Sequence, residues 1–187
     1  MTKMFKTNTI VSGFNANSLN DPKVAVFNKD AYIWAKNCRE KFDVVIIDFP
    51  DPSNYSLGKL YSLNFYATIQ KLLNQDAVVV IQTTSPYFAP KSFWCINKTV
   101  MQVFPQIDAY HAYVPSFGEW GFTIAINGFG TTFNTVNRKV DALRFYNYQF
   151  DKFNYFSQDM ISKDIEINRL DNQILVRYFD EEWGKLQ

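Results

Sequence analysis

The sequence is poor in cysteine and histidine, and it has no long apolar run. Its two cysteines, Cys38 and Cys95, fit neither a zinc motif nor a disulfide framework, so a reducing cytoplasmic location is expected. Its single histidine, His111, cannot form a metal site alone, and a packed or surface position on a strand is expected for it. No apolar segment approaches the roughly 20 residues that cross a bilayer, and the first residues do not resemble a signal peptide. The sequence therefore predicts no metal and no membrane segment in this chain.

Charge of one sign is not in excess either. Lysine and arginine number 19 and aspartate and glutamate 18, which gives a formal net charge of +1. Nucleic acids and anionic membranes are bound by concentrated basic faces, so neither is predicted as a partner. Hydrophobic residues make up 47% of the 187 residues, enough for one globular domain with a sizeable core. The whole chain, residues 1–187, is accordingly predicted to be a single domain.

Alternating apolar patterns predict an α/β open sheet. The predicted strands are residues 23–28, 42–49, 77–84, 107–114 and 120–127, and the predicted helices are residues 2–18, 31–38, 60–73, 92–104 and 168–183. The near-continuous apolar run at 42–49 indicates a strand covered on both faces. The last two strands flank the short loop PSFGE, which predicts an antiparallel hairpin at one edge of the sheet.

The end of the chain differs in composition from the rest. Residues 142–156 are dense in aromatic side chains, which are expected in a core or an interface. The terminal helix at 168–183 is predicted to bury one face, made of Leu170, Ile174, Leu175, Tyr178 and Trp183. Its acidic pair, Glu181 and Glu182, is predicted to face solvent.

Two carboxylates follow the apolar strand in the stretch DVVIIDFPDP. Asp48 comes directly after the run, and Asp51 stands between Pro50 and Pro52. Ligands of open α/β sheets bind beyond the carboxyl ends of the strands, where Gln82 closes the next predicted strand. Two acids on a stiff turn are costly to desolvate unless a cation neutralises them, which favours a cationic or amine-bearing ligand. The alternative is that Asp48 caps the following turn and Asp51 lies in solvent, and the pattern leaves both open.

Several motifs in chain order resemble the spermidine synthase family of polyamine aminopropyltransferases. The quoted stretches are NDPKVAVFNKDAYIW, FDVVIIDFPDP, LYSLNFY, AVVVIQTTSP and VPSFGEWGFTIA. The ending EINRLDNQILVRYFDEEW resembles a bacterial subgroup whose full-length members carry membrane helices ahead of this domain. The resemblance covers nearly the whole chain and implies a Rossmann-like, methyltransferase-type open sheet. It also implies aminopropyl transfer from decarboxylated S-adenosylmethionine, as co-substrate, to a polyamine acceptor such as putrescine, within a longer enzyme.

The resemblance implies a role for four residues on the acceptor side. Asp48 matches the family's catalytic base, which takes the proton of the attacking amine. Asp51 matches the second acid, which holds the polyamine cation, and Gln82 matches an amide lining the same pocket. Trp120 matches an aromatic residue that some members have beside the polyamine channel. A carboxylate suits this reaction because it can accept the amine proton and offset the charge that develops on nitrogen.

On the nucleoside side, Asp30 and Ala31 match the pair that receives the adenine ring, although Asp30 could serve only as a helix N-cap. The family's first two strands, which complete the nucleoside site, have no counterpart in this sequence. Residues 1–41 are therefore interpreted as a remnant of the cofactor-binding half. Residues 42–130 would be the catalytic strands and gate loop, and residues 131–187 a helical tail.

Further departures leave two other functions open. Phe117 stands where the family's gate loop has tyrosine, which removes a hydroxyl that could hydrogen-bond an amine. The chain could instead be an S-adenosylmethionine-dependent methyltransferase-like protein, although methyl transfer to an uncharged acceptor needs no pair of adjacent acids. It could also be a truncated, non-catalytic remnant that oligomerises. An unpaired sheet edge predicts self-association into homo-oligomers.

Overall fold

The fold was established from a computed structural model, which describes residue 13 and residues 15–129, 156–162 and 164–184. The chain divides into two compact units, residues 1–34 and residues 35–187. In the first unit a short 3-10 helix spans Ser18–Asn20, and the rings of Phe27 and Trp34 lie 6.3 Å apart. Most of the predicted helix at 2–18 falls outside the described residues. The aromatic stretch at 142–155 also falls outside them.

The predicted strand at 23–28 is wrong, because these residues have no regular strand structure. A β-conformation is stable only where a neighbouring strand satisfies its backbone groups, and no described strand pairs with this segment. The predicted helix that follows is confirmed as α1 (Ala31–Asn37). Asp30 precedes it and caps it, since its Oδ1 accepts hydrogen bonds from the backbone N–H groups of Tyr32 and Ile33 at 2.8 and 3.1 Å.

The second unit contains a four-stranded open sheet. Its strands are β1 (Phe42–Ile47), β2 (Leu73–Gln82), β3 (Gln106–Val114) and β4 (Gly118–Ile126), in the order β1-β2-β4-β3. The strands β1 and β2 are parallel, whereas β4 runs antiparallel to both β2 and β3. The predicted open α/β sheet with an antiparallel hairpin at one edge is confirmed.

The helices of the second unit are α2 (Tyr55–Gly58), α3 (Leu63–Gln70), α4 (Pro90–Met101) and α5 (Ile174–Trp183). The single helix predicted at 60–73 is broken, because a 3-10 turn (Lys59–Tyr61) ends before Ser62 and α3 begins after it. Ser62 caps the new helix, as its Oγ accepts a hydrogen bond from the N–H of Phe65 at 3.3 Å. A serine hydroxyl competes with the helical hydrogen bonds around it, so it favours a helix start over a helix interior.

In the part of the chain that the structure describes, the most deeply buried side chains of β2 lie on one face of the sheet. Val79 and Ile81 of β2 are fully buried, as are Phe93 and Ile96 of α4. The prediction that the first apolar strand is covered on both faces is wrong. Among the described strands β1 lies at one edge of the sheet, and Val44 and Ile46 expose 60% and 74% of their surface. The apolar run predicts the strand but does not determine what covers its second face.

The terminal helix begins later than predicted, at Ile174, and its buried face is only partly as predicted. Ile174, Leu175 and Tyr178 are buried, as expected, whereas Leu170 precedes the helix and is 40% exposed. The solvated role predicted for Glu182 is also wrong. Its carboxylate accepts hydrogen bonds from the N–H of Lys91 at 2.7 Å and from the N–H and Oγ of Ser92 at 3.0 and 2.7 Å.

Glu182 therefore acts as the N-terminal cap of α4, whose preceding residue, Ala89, offers no side-chain acceptor. Its negative charge also lies at the positive end of the helix dipole. We expect Glu182→Ala to lower the free energy of unfolding by about 1–2 kcal/mol, measured by urea denaturation. The matched control is Glu181→Ala, because Glu181 forms exposed ion pairs at 3.7 and 3.9 Å and should contribute under about 0.5 kcal/mol. Equal losses in the two variants would contradict the capping role.

Candidate functional site

The acid turn, residues 48–52, begins where β1 ends. Asp48 is exposed, Asp51 is half-buried and Pro52 is buried. The N–H of Ser53 donates a hydrogen bond to the carbonyl of Asp51 at 2.7 Å, which closes the turn. Within the described part of the chain Asp48 accepts no hydrogen bond, so it does not serve as a cap there, and Asp51 is not free in solvent. The alternative reading of the two acids is therefore not supported.

Gln82 connects the acid turn to the next strand end. Its Nε2 donates to the carbonyl of Phe49 at 2.9 Å and to Oδ1 of Asp51 at 3.3 Å. Its Oε1 accepts from the backbone N–H of Thr84 at 2.5 Å and from Nε1 of Trp120 at 3.1 Å. Because indole and backbone N–H groups can only donate, they fix which end of the amide faces Asp51. The structure thus brings Asp51, Gln82 and Trp120 together in one hydrogen-bonded chain.

The buried phenol of Tyr61 contacts the backbone of the acid turn. Its hydroxyl donates to the carbonyls of Phe49 and Pro50, both at 3.1 Å. Burial raises the pKa of the Tyr61 phenol far above its ordinary value, and the carboxylates of Asp51 and Asp48 raise it further. Both acids are therefore close enough to one phenol to act on its charge.

Asp51 has an unusual electrostatic environment for a carboxylate. Burial raises its pKa above the ordinary value, while the side chains of Gln82 and Thr84 act in the opposite direction. Among the described residues, no lysine or arginine contributes to this shift. A half-buried carboxylate with neutral hydrogen-bond donors and no cation is suited to receive a positively charged ligand.

Thr84 is a site residue that sequence reasoning missed. Its φ is +65°, a region that β-branched residues rarely adopt, and the residue is fully buried. Its hydroxyl lies near enough to Asp51 to lower the pKa of that acid, yet it has no hydrogen bond of standard geometry. Strained backbone conformations of this kind cluster at functional sites. The stretch QTTSP does not predict the positive φ of Thr84, because threonine is common in turns of ordinary geometry.

The backbone of Gly121 on β4 lies close to the backbone of Thr83 and Thr84 and forms hydrogen bonds with both. Its N–H donates to the carbonyl of Thr84 at 2.8 Å, and its carbonyl accepts from the N–H of Thr83 at 3.0 Å. A Cβ at position 121 would lie 2.7 Å from the Thr84 carbonyl oxygen and would collide with the ring of Phe93. Only glycine allows the two backbones to meet here.

Trp120 belongs to a series of neighbouring aromatic rings. The rings of Phe117 and Trp120 lie 5.1 Å apart, and those of Trp120 and Trp183 lie 6.5 Å apart. Phe88 continues the series, at 6.1 Å from Trp183. Trp183 was predicted on the buried face of the terminal helix, but its contact with Trp120 was not. Aromatic faces can hold both methylene chains and cations.

Asp30 and Ala31 belong to the unit of residues 1–34, which is described by itself. Asp30 caps α1, and its capping Oδ1 is engaged by two backbone donors. This is the structural role that sequence reasoning left open for it. Their proposed contact with an adenine ring stays a prediction.

The other candidate groups form no separate site among the described residues. His111 Nδ1 lies 2.8 Å from Oε2 of Glu119 in a half-buried pair on the hairpin. Cys38 and Cys95 are free thiols, and burial raises the pKa of Cys95 to about 12, which makes it unreactive. In the described ranges no group of three or more potential ligands could hold a metal, and no helix is long and apolar enough to cross a membrane.

Comparisons with known proteins find similar sequences and folds. Residues 2–139 match the sequence family described as the spermine/spermidine synthase domain. A polyamine aminopropyltransferase of Leptospira interrogans is 44% identical over 190 residues, covering 100% of this chain and 37% of the relative. Polyamine aminopropyltransferase 2 of Ralstonia nicotianae is 44% identical over 188 residues, covering 98% of this chain and 36% of the relative. The chain thus spans little more than a third of the length of these relatives.

Solved structures show the same fold. The spermidine synthase of Thermotoga maritima aligns with a TM-score of 0.58 at 16% identity, covering 98% of this chain and 56% of that one. A spermidine synthase in complex with the transition state analogue AdoDATO aligns with a TM-score of 0.57 at 19% identity, covering 96% and 56%. The predicted methyltransferase-type fold is confirmed.

Proposed function

Because the chain belongs to the spermine/spermidine synthase family, we propose that it forms the catalytic part of a polyamine aminopropyltransferase. The substrates would be decarboxylated S-adenosylmethionine and a polyamine acceptor such as putrescine, within a longer enzyme. The observation that carries the proposal is the acid turn, in which half-buried Asp51 is bonded by Gln82 and exposed Asp48 stands three residues away. This arrangement favours a ligand with amine nitrogens.

In the proposed reaction, the amine nitrogen attacks the carbon next to the sulfonium sulfur. The C–N bond forms as the C–S bond breaks, and the bonding electron pair leaves with sulfur, which becomes a neutral thioether. Asp48 accepts the proton lost by the nitrogen, and its exposure gives an incoming amine access to it. Asp51 holds the polyamine cation, and its negative charge offsets the repulsion between two cationic substrates.

The remaining site residues would select and orient the two substrates. Trp120 and Phe117 would pack against the methylene chain of the acceptor, with their rings 5.1 Å apart. Since Phe117 has no hydroxyl, it would contribute packing but no hydrogen bond to an amine. Asp30 and Ala31 would receive the adenine ring of the donor, as their match to the family motif implies.

Self-association and a cytoplasmic location also stay proposals. The exposed edge strand β1, with Val44 and Ile46 uncovered, supports association between copies. The two free thiols support a reducing compartment.

In the test, putrescine is added as acceptor to the protein that carries this chain. The donor is decarboxylated S-adenosylmethionine in one reaction and S-adenosylmethionine in the other. Mass spectrometry would identify the products. We expect an aminopropylated amine from the first donor and no methylated amine from the second. A methylated product would favour the methyltransferase reading, and the absence of any product would favour a non-catalytic remnant.

A further inference from the structure

We propose that Tyr61 is a positioning residue whose hydroxyl sets the direction of the Asp48 and Asp51 carboxylates. The inference rests on the proposed function, because it assigns a further residue to the same acid turn. It concerns a phenol that is not itself expected to contact a substrate, since it is fully buried.

The hydroxyl contacts the backbone between the two acids. It donates to the carbonyls of Phe49 and Pro50, each at 3.1 Å, and these are the two residues that separate Asp48 from Asp51. A shift of either peptide would therefore rotate both carboxylates at once. No other described side chain bonds the Pro50 carbonyl.

The acid turn needs an outside donor because it has few of its own. Pro50 and Pro52 have no backbone N–H, so two of its five residues cannot donate. Nε2 of Gln82 donates to the Phe49 carbonyl at 2.9 Å, and the Tyr61 hydroxyl donates to the same carbonyl at 3.1 Å. The turn is thus held by two neutral side-chain donors.

The phenol itself is well fixed. Its ring meets the ring of Phe49 edge-on at 6.4 Å, and it ends the 3-10 turn that Ser62 separates from α3. Because burial and the two acids raise its pKa, the hydroxyl stays protonated and remains a donor at any pH at which the protein works. A neutral donor holds the backbone without neutralising the acids that are to bind a cation.

Tyr66 offers a matched control in α3. It is also a fully buried tyrosine, but its hydroxyl has no hydrogen-bond partner within the described part of the chain. Tyr61→Phe and Tyr66→Phe remove the same atom from equally buried rings. Only the first should affect the acid turn.

The experiment compares the two variants with the unaltered chain by three measurements: melting temperature, carboxyl NMR titration of Asp51 without ligand, and putrescine kinetics in the protein that carries the chain. In Tyr61→Phe we expect the pKa of Asp51 to move down toward its ordinary value, because loosening the turn reduces the burial that raises it. We expect kcat to fall by about 10–100-fold with a smaller change in KM, since misplacement of a reacting group affects the rate most. The melting temperature should fall by about 2–4 °C. Tyr66→Phe should leave the titration and the kinetics unchanged, and it should not lower the melting temperature, because it removes a buried hydroxyl that has no partner among the described residues.

An unchanged Asp51 titration and unchanged kcat in a folded Tyr61→Phe variant would overturn the proposal and leave the hydroxyl a purely structural role. If Tyr61→Phe folds poorly, the variant Tyr61→4-aminophenylalanine keeps a donor on the ring, and it should restore both the titration and the rate. Failure of that rescue in a folded protein would also overturn the proposal. If the unaltered protein does not use putrescine, the proposed function fails, but the ligand-free titration still decides the role of Tyr61.

Discussion

Asp48→Asn is expected to lower the rate of aminopropyl transfer by about 10²–10⁴-fold, the usual contribution of a general base. Asparagine keeps the shape of the side chain but cannot accept the amine proton at neutral pH. Because Asp48 is exposed and accepts no hydrogen bond from the described residues, its removal should change the melting temperature little. Nucleoside binding should also be retained. The rate is measured in the protein that carries this chain, with decarboxylated S-adenosylmethionine and putrescine.

The control for this prediction is Asp43→Asn near the start of the same strand. Asp43 is exposed and accepts a hydrogen bond from Nδ2 of Asn74 at 2.8 Å, which an asparagine oxygen can also accept. Asp43→Asn should leave the rate of aminopropyl transfer unchanged. Near-normal turnover in Asp48→Asn would remove Asp48 from the base role, and an equal loss in both variants would indicate a general effect of charge.

Asp51→Asn is expected to weaken polyamine binding and to stabilise the fold at the same time. The amide oxygen can still accept from Nε2 of Gln82, so the local hydrogen bond need not be lost. The charge that attracts the acceptor disappears, and we expect the affinity for putrescine to fall by at least about 10-fold. Removal of a half-buried charge should raise the free energy of unfolding at pH 7 by up to about 1 kcal/mol.

The pH dependence of stability follows from the direction of the Asp51 shift. Burial raises its pKa in the folded state, so between the ordinary and the raised pKa the folded chain binds more protons than the unfolded chain. Stability therefore falls as the pH rises through this interval, and above it the ionised carboxylate is a constant cost. Asp51→Asn should remove this fall, measured by urea denaturation from pH 3.5 to pH 7. A stability curve that Asp51→Asn leaves unchanged would contradict the account of its burial.

The acid turn could be predicted from the sequence because the residues that determine its structure and charge are adjacent in the chain. An apolar run followed by two acids and two prolines indicates a strand end, a stiff turn and a cationic ligand. The link from Gln82 to Asp51 followed from the expectation that neighbouring parallel strands end at the same edge, and the structure brings these two residues together. The role of each acid in catalysis stays a prediction.

The contacts that support the acid turn and the start of α4 could not be predicted, because they join separate elements of the fold. Tyr61 lies in a motif typical of a continuous helix, and only the break at Ser62 directs it to the turn. The positive φ of Thr84 depends on its contact with Gly121, 37 positions away. The sequence predicts a solvent-exposed role for Glu182, whereas the packing of α5 places its carboxylate at the start of α4.

The segment at 23–28 shows that a local sequence pattern is not sufficient to predict a strand. Its apolar residues have strand propensity, but propensity alone does not supply a partner strand. Val44 and Ile46 show the same limit at β1, where the sequence indicates an apolar face and the described residues leave it open.

The central claim is that the acid turn binds a polyamine cation, and calorimetric titration of putrescine into the 187-residue chain tests it most directly. The comparison is between the unaltered chain, the double variant Asp48→Asn/Asp51→Asn and the control Asp43→Asn. We expect saturable binding to the unaltered chain and to the control, weakened as the pH falls through the raised pKa of Asp51, and no binding to the double variant. Equal binding to all three, or no binding to the unaltered chain, would contradict the account.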